Sequence, residues 1–103
     1  MTYTYRNCFA PVEDLELHYL EWGTPGKPPM LLLHGYLDIA HGWCGFAEQL
    51  KDNYHIVALN FRGHGDSGKS DGYSYLFFNY IYDICQLLNH LCWDRFYLVG
   101  HSM

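Results

Sequence analysis

Two textures of hydrophobic and polar patterning divide the chain. In the first 22 residues the two alternate. Leu15, Leu17 and Tyr19 fall on one side of the run Leu15 to Trp22, with Glu16 and His18 on the other, the period of a β-strand with one wet face. A second run, Tyr3 to Ala10, precedes it across Pro11-Val12-Glu13-Asp14, so the segment reads as a β-hairpin with its turn at those four residues. Gly23 to Pro29 is a turn cluster with three prolines. Beyond it, Met30 to Leu33, most of Ile56 to Leu59, and Phe96 to Val99 are continuously apolar, as parallel strands covered on both faces are. Helical spacing fills the intervals. Trp43, Phe46, Ala47 and Leu50 share one helical face. Phe77, Ile81, Ile84, Leu88 and Leu91 form a longer apolar stripe opposite a polar one of Asn79, Asp83, Gln86 and His90. The order hairpin, strand, helix, strand, helix, strand predicts an α/β fold, with an N-terminal β-hairpin followed by parallel strands joined by right-handed crossover helices.

Composition narrows the class. At 103 residues one domain is expected, and with half of the residues apolar, 18% aromatic and 17% charged, disorder is excluded. The formal charge of −5 argues against a nucleic-acid or anionic-membrane partner. No segment has the length of apolar sequence needed to span a bilayer and the first residues do not read as a signal peptide, so a cytoplasmic protein is expected. Cys8, Cys44, Cys85 and Cys92 show no C-x-x-C spacing; they read as buried free thiols rather than as a zinc or redox site.

Three loops carry candidate chemistry, each directly after an apolar strand. Gly63-His64-Gly65-Asp66-Ser67-Gly68-Lys69-Ser70 fits both a phosphate-cradling G-x-x-x-x-G-K-S loop, with Lys69 on the terminal phosphate and Ser70 on magnesium, and the dinucleotide pattern G-x-G-x-x-G. Both need the loop to open straight into a helix N-terminus. Asp71-Gly72-Tyr73 is a poor first turn, Asp66 places a carboxylate in the nest, and Asp83 falls on a helix rather than at a strand end, so a glycine-rich structural turn is the better reading. Gly100-His101-Ser102-Met103 is four-fifths of G-x-S-x-G, in which a serine sits on a tight strand-to-helix turn and small neighbours let the turn close. His34-Gly35-Tyr36-Leu37-Asp38 is a turn whose glycine lets the Tyr36 N–H face a neighbouring strand end, where an oxyanion could develop. His34 itself reads as a hydrogen-bonded structural residue, and His41 has no evident role.

Taken in order, LLLHGYLDIAHGW, VALNFRGHGDSG, the amphipathic helix and FYLVGHSM resemble the α/β-hydrolase superfamily, in the branch of small serine esterases, epoxide hydrolases and haloperoxidase-like proteins, over nearly the whole chain. The resemblance implies that Ser102 is the nucleophile and that the backbone N–H groups of Tyr36 and Met103 form the oxyanion hole. Gly35, Gly100 and His101 would shape the turns, and Arg62 to Ser67 the family's structural turn. A serine at 102 disfavours the epoxide hydrolase and dehalogenase chemistries, which use a carboxylate there, and favours acyl transfer to water from a small carboxylic ester or related acyl substrate. No cofactor or metal is implied. Asn60 stands where the family's turn often has Asp, and a changed structural hydrogen bond is expected. The family's triad runs Ser, then Asp or Glu, then His, and nothing follows Met103, so residues 1–103 read as a partial domain. Its partner is then a missing C-terminal half or a second copy. The alternative is a non-catalytic hydrolase-like chain that docks on another polypeptide.

Overall fold

The structure, a computed structural model, describes residues 3–12, 15–35, 38–68 and 77–101, with the backbone alone at Phe77. Among them β1 (Arg6–Val12), β2 (Leu15–Trp22), β3 (Pro29–Leu33), β4 (His55–Leu59) and β5 (Tyr97–Gly100) form one sheet in the order β1-β2-β4-β3-β5. A 3-10 turn (Ala40–Trp43) leads into α1 (Cys44–Leu50), and α2 (Phe77–Leu91) lies between β4 and β5 in the chain. β1 runs antiparallel to β2, and β2 antiparallel to β4, whereas β3 is parallel to both β4 and β5. The α/β class, the hairpin and the parallel core are as the patterning predicts.

The hairpin differs in two ways. Pro11 and Val12 belong to β1, paired with Glu16 and Leu15, rather than to the turn. Proline is tolerated there because β1 is an edge strand and needs no outward N–H. On the face of β2 expected to be wet, Glu16 is exposed but His18 is 1% exposed. The hairpin does not stand at the sheet edge by itself. Its second strand is inserted between β1 and β4, so a strand with polar alternation becomes interior and its histidine must find partners inside.

The core occupies both faces of the sheet. Along β3 and β4 successive residues point opposite ways, so Leu31, Val57 and Leu59 pack with Tyr80 and Leu87 of α2. Leu32, Ile56 and Ala58 pack with Cys44 and Ala47 of α1. All five residues of β4 are buried, which is why that run reads as continuously apolar. Both helices sit slightly rotated from the stripes drawn on them. In α1 the buried positions are Cys44 and Ala47, while Phe46 is 40% exposed. In α2 they are Tyr80, Asp83 and Leu87, with Ile84, Leu88 and Leu91 partly covered, and Ile81 is 43% exposed. Asp83 is therefore not on a solvated face, for a reason given below. α2 ends with Cys92 in the left-handed region at φ 58°, its N–H on the Asn89 carbonyl and the Trp93 N–H on that of Leu88. Those two bonds satisfy carbonyls that the helix leaves orphaned, in the manner of a glycine-type cap. All four cysteines are free, yet only Cys44 is buried; Cys8 is half-buried, and Cys85, off the face of α2 that meets the sheet, and Cys92, just past the helix end, are exposed, against expectation.

Candidate active site at the carboxyl ends of the parallel strands

β3 and β5 are in register with Leu33 opposite Gly100, and the His101 N–H continues the ladder to the Leu33 carbonyl at 3.1 Å. The turn that begins at His34-Gly35 and the strand end that leads to Ser102 therefore leave the sheet side by side. Between them and the 3-10 turn opens a cleft of about 240 Å³ lined by His34, Asp38, Ile39, Gly42, Trp43 and His101. Crevices at the carboxyl ends of parallel strands are where open α/β sheets bind ligands. Of the residues anticipated at the site, Gly35 is buried, and its carbonyl accepts both the Asp38 N–H and the His34 Nδ1–H. Gly100 ends β5 and His101 is exposed beside the cleft. Tyr36, Ser102 and Met103 lie outside the described residues, as do Lys69 and Ser70.

His34 is structural, as expected. It is 2% exposed; Nδ1–H donates to the Gly35 carbonyl at 2.6 Å and Nε2 accepts the Phe61 N–H at 3.1 Å. Both nitrogens are used and the tautomer is fixed. Burial holds its pKa below the ordinary imidazole value, reinforced by neighbouring His64 and opposed by the Gly35 bond and Asp38. A neutral ring whose lone pair is already occupied cannot take a proton from a nucleophile.

The glycine-rich stretch after β4 is a clasp. Ser67 Oγ accepts the His18 N–H at 2.7 Å and donates to the Asn60 carbonyl at 2.5 Å, while the Gly68 N–H reaches Glu16 O at 2.7 Å. Gly65, at φ 51°, could carry no side chain: a Cβ would stand 2.6 Å from the Asn60 side chain. Gly63 and Gly65, both at positive φ, shape this turn, and the Lys69 and Ser70 of the phosphate-loop reading lie outside the described residues. Arg62, 5% exposed, meets fully buried Asp83 through Nε to Oδ2 and Nη2 to Oδ1, both at 2.7 Å. The guanidinium is what draws Asp83 inward and rotates α2 about its expected stripe.

Patterning did not show what two groups do. Asn60, wholly buried, accepts the Ala40 N–H on Oδ1 at 2.7 Å and donates from Nδ2 to His18 Nδ1 at 2.8 Å. It ties Ala40, the first residue of the 3-10 turn, to His18 of β2. Its signal in the sequence was the polar residue following a fully apolar strand. Trp43, assigned only to the core face of a helix, packs partly against that face and also lines the cleft. Its place at the start of α1, next to the strand ends, was the available clue.

A family model described as "alpha/beta hydrolase fold" matches residues 28–103. The chain belongs to that family. It is 36% identical over 99 residues to "Epoxide hydrolase 4" of Mus musculus, covering 93% of this chain and 28% of that protein. To a "Serine hydrolase-like protein" of Homo sapiens it is 37% identical over 82 residues, 79% of this chain and 40% of the relative. A solved bacterial membrane phospholipase A superposes with a TM-score of 0.90 at 33% identity, over 95% of this chain and 32% of that one. The chain thus spans well under half the length of these relatives of the α/β-hydrolase fold family. No described helix is long and apolar enough to cross a membrane.

Proposed function

We propose that this chain supplies the nucleophile-bearing part of an α/β-fold serine hydrolase acting on a small carboxylic ester or related acyl substrate. The observation that carries it is the register of β3 and β5, which sets the turn after His34 beside the strand end leading to Ser102, both facing one cleft. In this reading Ser102 Oγ attacks the acyl carbonyl carbon and the carbonyl oxygen gathers charge opposite the N–H groups of Tyr36 and Met103. The alcohol then leaves, and water releases the acyl group from Ser102. A general base is required, and the histidines whose bonds are defined are engaged elsewhere: His34 as above, His18 between Asn60 and Asn7, His55 on Glu21. The proposal assigns the base and its orienting carboxylate to polypeptide other than residues 1–103, in keeping with the greater length of the relatives. Those relatives include an epoxide hydrolase; serine in place of a carboxylate at 102 is the ground for preferring acyl chemistry here.

β5 supports the same reading. Tyr97 and Leu98 are each 59% exposed on an edge strand, an apolar rim that needs a neighbour, either a further strand of a longer polypeptide or a second copy. A cytoplasmic location is included in the proposal on the strength of four free thiols. In a polypeptide carrying residues 1–103 together with the base-supplying remainder, a fluorophosphonate should label the wild type covalently and fail to label Ser102→Ala. Hydrolysis of p-nitrophenyl acetate should fall with it to a residue of about a thousandfold over water, as when other triads lose a member. Undiminished labelling of Ser102→Ala refutes the assignment.

A further inference from the structure

Among the described residues the cleft is lined by one carboxylate, Asp38, and one indole, Trp43. Asp38 is exposed; its Oδ1 accepts the Ile39 N–H at 2.8 Å, and among the described residues it has no ion-pair partner. Among the described residues no Lys or Arg lines the cleft. Of its two imidazoles, His34 is neutral and closed by its own hydrogen bonds, and His101 stands across on the β5 side. Gly42 leaves room in front of the carboxylate: a Cβ there would lie 3.6 and 3.9 Å from the two Asp38 oxygens. The next residue is Trp43, whose ring is set edge-on against Phe46 with centroids 5.6 Å apart. A lone carboxylate is too few ligands for a metal, and no described group of three or more donors is present. What a negative oxygen pair beside an aromatic ring recognises is an organic cation, held by charge on one side and by the ring's quadrupole on the other. At about 240 Å³ the cleft falls below the roughly 300–1,000 Å³ of sites for drug-sized ligands, which restricts the guest to a small head group.

We propose that Asp38 and Trp43 form a subsite for an ammonium group, with Gly42 kept small to admit it. Its location rests on the structure alone; its meaning for catalysis, that the preferred ester carries a cationic nitrogen, rests on the function proposed above. Saturation-transfer NMR on the protein, which tolerates any assembly state, compares choline with its uncharged carbon isostere 3,3-dimethyl-1-butanol and with 3,3-dimethylbutanoate. Choline should bind saturably in the millimolar range and about tenfold more tightly than the alcohol, the anion not at all. Asp38→Asn, an exposed position, should erase the preference for choline; Trp43→Leu should weaken choline more than the alcohol. Gly42→Ala, which keeps charge and ring but covers the carboxylate, should weaken choline as well. Equal binding of choline and alcohol, absence of saturation, or indifference to both Asp38→Asn and Gly42→Ala overturns the subsite. Hydrolysis of acetylthiocholine against its neutral carbon isostere, measured in the longer polypeptide, separates the two proposals. Choline binding with no turnover of any ester leaves the subsite standing and removes the hydrolase; equal kcat/KM for both esters with no choline binding does the reverse.

Discussion

Removing Asp83 should damage the protein far more than its place in a polar stripe suggests. The Arg62 guanidinium is 5% exposed and Asp83 fully buried, joined by two parallel 2.7 Å bonds, so the pair is a desolvated fork rather than a surface contact. Asp83→Ala leaves a permanently charged guanidinium inside, and breaking one side of such a pair costs about 3–5 kcal/mol. Against a total stability of roughly 5–15 kcal/mol for a chain of this size, that is at least about a fifth of the whole. Replacing both partners by apolar groups, as in Arg62→Met with Asp83→Leu, removes the stranded charge and should recover stability to within about 1–2 kcal/mol of wild type. Urea denaturation followed by circular dichroism of wild type, both singles and the double gives a coupling energy of at least about 2 kcal/mol if the fork is as described. Additive losses, or a loss below about 1 kcal/mol for Asp83→Ala, would mean that α2 packs on the Arg62 turn by its aliphatic residues alone.

Two smaller perturbations test other parts of the chain. Burial lowers the pKa of both His18 and His34, so below about pH 6.5 the unfolded chain binds protons that the folded one refuses, and the urea midpoint should fall between pH 7.5 and 5.5. Glu48, brought to about 2 by the Thr4 N–H, and Glu21, lowered by His55 and Arg6 against the effect of burial, lose their contributions only as pH drops below about 4.5; a flat midpoint from 7.5 to 5.5 therefore contradicts neutral buried rings. Cys92→Gly should stabilise by roughly 1 kcal/mol and raise Tm by several degrees, because φ 58° disfavours a residue with a Cβ at this cap; a lower Tm counts against the left-handed assignment.

Strands and their order along the chain were legible because burial on both faces leaves a continuous apolar run, and β3 and β4 are buried that way. Polar residues inside were not. Asp83 has the spacing of a solvated position, and only the guanidinium arriving from a turn twenty-one residues upstream reverses that. His18 reads as wet in an isolated hairpin and is dry once β4 pairs with β2, a fact of strand order that alternation does not encode. The site was legible in a different sense: the motif glycines and serine mark turns at strand ends, but that β3 and β5 are neighbours is long-range information, supplied here by the register and the His101 bond.

Asn60 holds its surroundings together in a way that an aspartate could not. Its two side-chain atoms do opposite things, Oδ1 accepting from Ala40 and Nδ2 donating to His18 Nδ1, and an ionised carboxylate can only accept. With aspartate at this position His18 would have to present a proton on Nδ1, either by charging inside the core or by switching tautomer and turning its Nε2 lone pair toward the Asn7 oxygen that now accepts from it. An amide at 60 removes that demand, and the neutral His18 ring then lies nearly parallel to His41, an arrangement that two imidazolium ions would oppose. The 3-10 turn, which starts at Ala40 and carries Gly42 and Trp43 into the cleft, is thereby referred to a histidine in the second strand. Position 60 and position 18 must be read as one unit in any comparison of this chain with relatives that hold a carboxylate there.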